Sequence, residues 1–272
     1  MKALRSNHLL AFAAAMVALQ IVLALAATWI APYDPMAQSI IVRMRGPSLT
    51  HWLGTDQLGR DILTRILYGY RISLAVCTAA VGSALIVGGA VGLLSAYYRG
   101  WTERIAMRLM DILFAFPILL LAIGIIAVLG SRSSSAGVAI AIVYVPIFAR
   151  LLRGPALVIC ESEYVAGARA AGASDARILI RHILPNLASV ILVQTSLLLS
   201  AAILVEASLS FLGLGTQPPS PSLGLMLSEG RNVLFLSPWS AVFPGVAILF
   251  LSFGFNLLGD ALRDTLDPRL RG

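Results

Sequence analysis

Hydrophobic residues run in long blocks along this chain, and short polar stretches close each block. Residues 9–30 are almost continuously apolar behind Lys2 and Arg5. Further blocks occupy 72–98, 105–129, 136–152, 187–212 and 238–258. A helix needs about 17–25 apolar residues to cross the hydrocarbon of a bilayer, so each block predicts one crossing. The first block exceeds the apolar core of about 7–15 residues in a cleaved signal peptide, so it reads as a retained first span. The pattern predicts an all-α membrane protein with six transmembrane helices. It divides into an N-terminal helix with its outer loop (1–70) and a core of five spans (71–272).

The polar stretches carry local shape. Gly82, Gly88, Gly89 and Gly92 mark close-packing faces on the second span. Pro117 lies inside the third and Pro146 kinks the fourth. Residues 213–232 read as an outer loop rich in Gly, Pro and Ser. The longest connection, 32–70, is punctuated by Pro32, Pro35, Gly46 and Pro47. It holds His51-Trp52-Leu53-Gly54-Thr55-Asp56-Gln57-Leu58-Gly59-Arg60-Asp61, then an amphipathic run to Tyr70. This loop either caps the membrane domain or offers Thr55, Asp56, Gly59, Arg60 and Asp61 to an external binding protein, and one loop can do both.

Residues 153–186 form a polar island between two spans. Pro155 suits the first turn of a helix, and the chain favours helix through Ala171. Gly172 suits the left-handed position that ends it. Ser174 is a good N-cap, with Asp175 in the next first turn. Pro185 opens the fifth span. Ala166, Gly167, Ala168, Ala170 and Ala171 leave shallow relief, against which a partner could seat; a plain connector on the membrane surface fits the same residues.

Composition agrees with the pattern: 58% of residues are hydrophobic and only 12% charged. About 25% charged residues is normal for a soluble domain. The formal charge of +7 is carried almost wholly by arginine, Lys2 being the one lysine. Thirteen basic residues fall in the segments assigned inside and seven in those assigned outside. That bias places both termini and the island in the cytoplasm. No basic stripe with interleaved aromatics points to nucleic acid.

Chemistry at motif level is absent. There is no Gly-x-x-x-x-Gly-Lys-Ser/Thr loop and no His-Glu-x-x-His. Cys77 and Cys160 lie far apart, and His8, His51 and His182 are scattered, so no disulfide framework or metal site is implied. Gln194, Thr195, Ser196, Ser200, Glu206 and Asn256 are polar residues within spans, costly in lipid. They either line a substrate route or form hydrogen bonds between helices.

The island residues Glu163-Tyr164-Val165, Ala168-Arg169-Ala170, Gly172-Ala173-Ser174 and Ile183-Leu184-Pro185-Asn186 resemble the cytoplasmic EAA loop of bacterial ABC importer permeases. Three more stretches are similar to the dipeptide, oligopeptide and nickel branch of that family. They are residues 51–61, the run Glu206-Ala207-Ser208-Leu209-Ser210-Phe211-Leu212-Gly213-Leu214-Gly215, and 256–269 with Asp267-Pro268-Arg269. The chain departs at the acidic position: counting back from Gly172, the triplet falls on Ala166-Gly167-Ala168, and Glu163 lies one turn earlier.

The resemblance implies a type I importer permease fold with a cytoplasmic coupling helix. It implies that Glu163, Tyr164, Ala166, Gly167, Ala168, Arg169, Gly172, Ala173, Ser174, Leu184 and Pro185 contact an ATPase. It further implies a second homologous permease as heterodimer partner, two cytoplasmic ATPase subunits and an extracytoplasmic substrate-binding protein. ATP and Mg would sit on the ATPases and no cofactor on this chain, which is not an enzyme. The expected place is the bacterial inner membrane and the expected cargo a dipeptide or oligopeptide. Nickel or another small solute in the same machine is the alternative. A self-sufficient secondary transporter is a distant one, since it calls for an inverted repeat and deep charges that this chain lacks.

Overall fold

The computed structural model describes residues 2–266, with side chains from residue 8 onward. Lys2, Arg5, Arg269, Arg271 and the Asp267-Pro268-Arg269 motif therefore lie outside the described side chains. Helix α1 (Lys2–Leu25) runs into a short α2 (Ala27–Ile30), and a loop with one 3₁₀ turn (Ile40–Val42) leads to α3 (Ile62–Tyr98). Next come α4 (Gly100–Phe114), α5 (Ile118–Leu129), α6 (Ser133–Cys160) and α7 (Glu163–Ala170). A single turn, α8 (Asp175–Arg177), passes through a π turn (Ile178–Ile183) and a 3₁₀ turn (Leu184–Leu187) into α9 (Ala188–Phe211). Helices α10 (Leu223–Arg231) and α11 (Trp239–Leu266) complete the described residues. Among the described residues, five helices are long and apolar enough to cross a membrane, and the bent α4–α5 pair makes a sixth if it counts as one span.

Helix α3 runs without a break across residue 70, where the polar pattern had suggested a separate amphipathic run. Its 37 residues give a rod of roughly 55 Å, longer than the ~45 Å of a whole bilayer. Asp61 caps it by accepting the Thr64 backbone N–H at 2.8 Å. Helix α3 makes its most extensive contact with α6. Gly88 and Gly92, one turn apart, bring the two backbones together: a methyl group at either would collide with the carbonyl of Val145 or Ala149. Gly82 faces open space and contributes nothing to this contact.

Three expectations need correction. The third span is two helices, α4 and α5, bent by 91°. The break falls at 115–117 because Pro117 lacks an N–H and steers Phe116 away from helical angles. Residues 213–232 are more than a loop: α10 inserts there, burying Leu223, Gly224, Leu225 and Met226 against α9 and α11. Pro155 does not open the island helix. It lies inside α6, which extends to Cys160.

One apolar core joins α1, α3, α5, α6, α9, α10 and α11. A second, smaller core sits at the far end of α3 and α6, beneath the polar island.

Candidate functional site

The island is built outward from that second core. Val165 of α7, with Ile178, Ile183 and Leu187, is fully buried against Ala96 of α3 and Ala156 of α6. Ser162 begins α7 with extended backbone, its hydroxyl donating to the Ile159 carbonyl at 2.6 Å. The C-terminus closes on Gly172 at φ +77°. The Gly172 N–H donates to Arg169 O and the Ala173 N–H to Ala168 O, both at 3.0 Å, a Schellman closure that satisfies carbonyls left free at a helix end. Ser174 takes N-cap backbone angles, but its side chain makes no capping bond.

Asp175 is turned elsewhere. Its carboxylate accepts the Tyr97 hydroxyl at 2.7 Å and the Tyr98 hydroxyl at 3.2 Å. The Arg169 guanidinium lies over the Tyr97 ring, 4.8 Å from its centroid. Arg99 donates to Glu161 at 2.7 Å, which raises the guanidinium pKa above its usual range. These four links tie the island to the end of α3. The aromatic pair followed by arginine is an interfacial signal visible in the sequence. Its partner Asp175, 78 residues further on, is not.

Helix α7 leaves Glu163, Tyr164, Ala166, Gly167 and Arg169 exposed, and Gly172, Ser174, Leu184 and Pro185 are exposed beyond it. Ala168 and Ala173 are half-buried and pack onto the second core. Glu163 forms no ion pair among the described residues, and its position one turn before Ala166 and Gly167 puts it on their face.

The outer-loop candidates are drawn inward. Thr55, Asp56, Gly59, Arg60 and Asp61 are all buried, Arg60 to 2% exposure. As a contact surface for a partner they are therefore corrected to internal supports. Thr55 donates to the Val42 carbonyl and accepts the Arg45 N–H at 3.0 Å. Asp61 also meets His51 at 2.9 Å. Gly59 sits against the Ser39 backbone at φ +73°. Arg60 reaches Asp56 at 2.6 Å and Glu229 of α10 at 2.8 Å. Buried Arg65 of α3 stands 3.7 and 3.6 Å from the same two carboxylates. This ion cluster pins the loop to α3 and α10. Glu229 was hidden because the helix carrying it was not evident from the pattern.

The intramembrane polar residues divide. Glu206 accepts the Ser73 and Ser210 hydroxyls, each at 2.8 Å, joining α9 to α3. Ser200 and Ser252 pair at 2.9 Å between α9 and α11. Ser196 bonds back to Leu192 O at 3.0 Å. Gln194 and Thr195 are half-buried, whereas Asn256 is exposed on α11. Glu206 and Ser200 thus serve as bonds between helices within this chain, and Asn256 faces outward from it. Among the described residues, no group of three or more metal-ligating side chains assembles.

The chain is thus a bundle of apolar helices with an anchored but exposed island at one end. Residues 88–272 match the family described as the inner membrane component of binding-protein-dependent transport systems, and the chain belongs to it. It is 48% identical over 269 residues, 98% of this chain and 89% of the relative, to the glutathione transport system permease protein GsiD of Escherichia coli O1:K1 / APEC. The GsiD protein of Pectobacterium atrosepticum is also 48% identical, over 97% of this chain and 88% of that protein. Among solved structures, the MetNI methionine ABC transporter in inward-facing conformations matches with a TM-score of 0.58. That match covers 73% of this chain and 96% of the other at 16% identity, and it shows the shared type I importer permease fold. The chain is a multi-pass ABC importer permease of the bacterial inner membrane; it is not an enzyme, and ATP hydrolysis belongs to separate subunits.

Proposed function

We propose that this permease imports short peptides, with tripeptides of the size and charge of glutathione as the leading class. The single observation that carries the substrate reading is the 48% identity, across 98% of the chain, to glutathione permeases. The exposed face of α7 seats a cytoplasmic ATPase. Its small side chains allow close approach, and Glu163 and Arg169 offer charge at either end of the helix. A second, homologous permease completes the pathway, a second ATPase docks on it, and an external binding protein delivers the peptide. Both termini and the island face the cytoplasm, in keeping with the arginine bias.

In this mechanism, closure of the ATPases on ATP displaces α7. The second core and the links to Tyr97, Tyr98 and Arg99 pass that displacement to α3. Helix α3 carries it to the ion cluster of the outer loop. ATP binding biases the two states only through its different affinity for them, and hydrolysis on the ATPases resets the cycle and gives it direction.

The test is uptake in proteoliposomes holding this chain, its partner permease, both ATPases and the binding protein. ATP-dependent accumulation of glutathione or dipeptides is expected. Accumulation of Ni²⁺ in place of peptide would move the reading to the alternative cargo. Flux through the lone chain without ATP would overturn it. Thiol labelling of Ser174→Cys from the outer side would invert the topology.

A further inference from the structure

A cavity of about 780 Å³ lies between α4 and the end of α6, at the rim of the island but outside its contacts. Its charged lining is Glu103, Arg104, Arg108 and Asp111 from α4 and Arg150 and Arg153 from α6. Arg153 pairs with Glu103, and Arg150 with Asp111 at 2.5 Å. Arg150 also rests on the Phe114 ring, 4.2 Å from its centroid. The two acids are thereby spent. Arg104 stacks over Trp101 at 5.0 Å, and neither it nor Arg108 has a carboxylate partner among the described residues. The cavity holds two uncompensated positive charges and falls within the ~300–1,000 Å³ of ordinary ligand sites.

Directly beside the cavity-lining arginines, α4 exposes an apolar stripe: Trp101 (72%), Ile105, Leu109 and Ile112. A helix with one basic face and one apolar face lies in a membrane interface. The 91° bend sets α4 across the axis of α5, as such a position requires. The Arg99–Glu161 pair places the start of α4 beside the start of α7, on the island's side of the protein. Basic pockets between helices on the cytoplasmic side take acidic lipid headgroups.

We propose that this cavity binds the phosphate headgroup of an anionic phospholipid from the cytoplasmic leaflet, with Arg104 and Arg108 as its contacts. The acyl chains leave along the apolar face of α4. The inference rests on the cytoplasmic placing of the island given above. An arginine excess that served membrane orientation alone needs neither a cavity nor two free cations converging on it.

The test is native mass spectrometry of the assembled importer, delipidated in detergent and titrated with phosphatidylglycerol or phosphatidylcholine. Wild type is expected to retain phosphatidylglycerol selectively. Arg104→Gln/Arg108→Gln is expected to weaken retention on the order of 30-fold, the product of about fivefold for each charge removed. Arg104→Lys/Arg108→Lys, which keeps the charge, should restore most of it. Arg263→Gln, an exposed charge on α11, should leave it unchanged. Equal retention of phosphatidylcholine, or no loss in the double glutamine variant, overturns the proposal. Displacement by millimolar inorganic phosphate or by glutathione assigns the cavity to a soluble anion and overturns the lipid source. Outside labelling of Ser174→Cys would instead sink the topology, so the two failures are distinguishable.

Discussion

The Tyr97 hydroxyl donates to Asp175 at 2.7 Å, joining the last turn of α3 to the island across 78 residues of sequence. With Tyr98 on the other carboxylate oxygen, it makes Asp175 a hinge pin between the proposed ATPase seat and the longest helix of the fold. Asp175→Ala is therefore expected to leave the assembled importer folded and hydrolysing ATP. Substrate carried per ATP should fall on the order of tenfold, the scale of a lost hydrogen bond to a charged group. The measurement is the ratio of uptake to hydrolysis in proteoliposomes. An unchanged ratio would show that this joint transmits nothing.

Gly88 and Gly92 are the contact points of α3 on α6. Alanine at either is expected to destabilise the membrane domain by about 1–3 kcal/mol through overpacking. Gly82→Ala on the same helix has no neighbour within 4 Å and should leave the melting temperature in detergent unchanged or slightly higher. Equal effects at all three positions would argue against the observed α3–α6 contact.

Gly172 closes α7 at φ +77°. Proline, locked near −65°, cannot adopt that angle, whereas asparagine tolerates it. Gly172→Pro should abolish co-purification of the ATPases from otherwise monodisperse protein, and Gly172→Asn should preserve it. Retention of the ATPases by the proline variant would move their seat away from this turn.

Arg60 and Glu229 join the outer loop to α10. Removing one member of a buried ion cluster strands its partners, at a cost of about 3–5 kcal/mol. Arg60→Ala should thus expose residues 31–61 to limited proteolysis at temperatures the wild type resists. Arg60→Ala combined with Glu229→Ala should cost less than the sum of the two single changes, because the stranded charge is gone. Strict additivity would show that the two groups do not interact.

Much of the architecture was legible because the bilayer imposes it. A crossing helix must satisfy its own backbone and face hydrocarbon, so span positions are written in block length. The apolar block 187–212 corresponds to α9 within one residue at each end, and 238–258 matches the start of α11, which runs on to Leu266. Gly172 was legible for a similar reason: few residues accept its dihedral angles. The bend at Pro117, the insertion of α10 and the continuity of α3 were not, since each depends on what packs alongside.

The outer loop shows the same division. Its composition announced a folded segment, yet Asp56, Arg60 and Asp61 read equally as a charged surface until Glu229 and Arg65 were found against them. The sequence by itself determined the solvent, the number of apolar blocks, the excess of arginine and the break at Gly172. Those are local properties, set by transfer from water and by backbone sterics residue by residue. Only the tertiary structure decided that α3 is one rod joining the ion cluster to Asp175, that Glu206 bonds Ser73, and that Arg104 and Arg108 share a cavity. Each relationship joins residues far apart in sequence, and its partners are chosen by how helices pack.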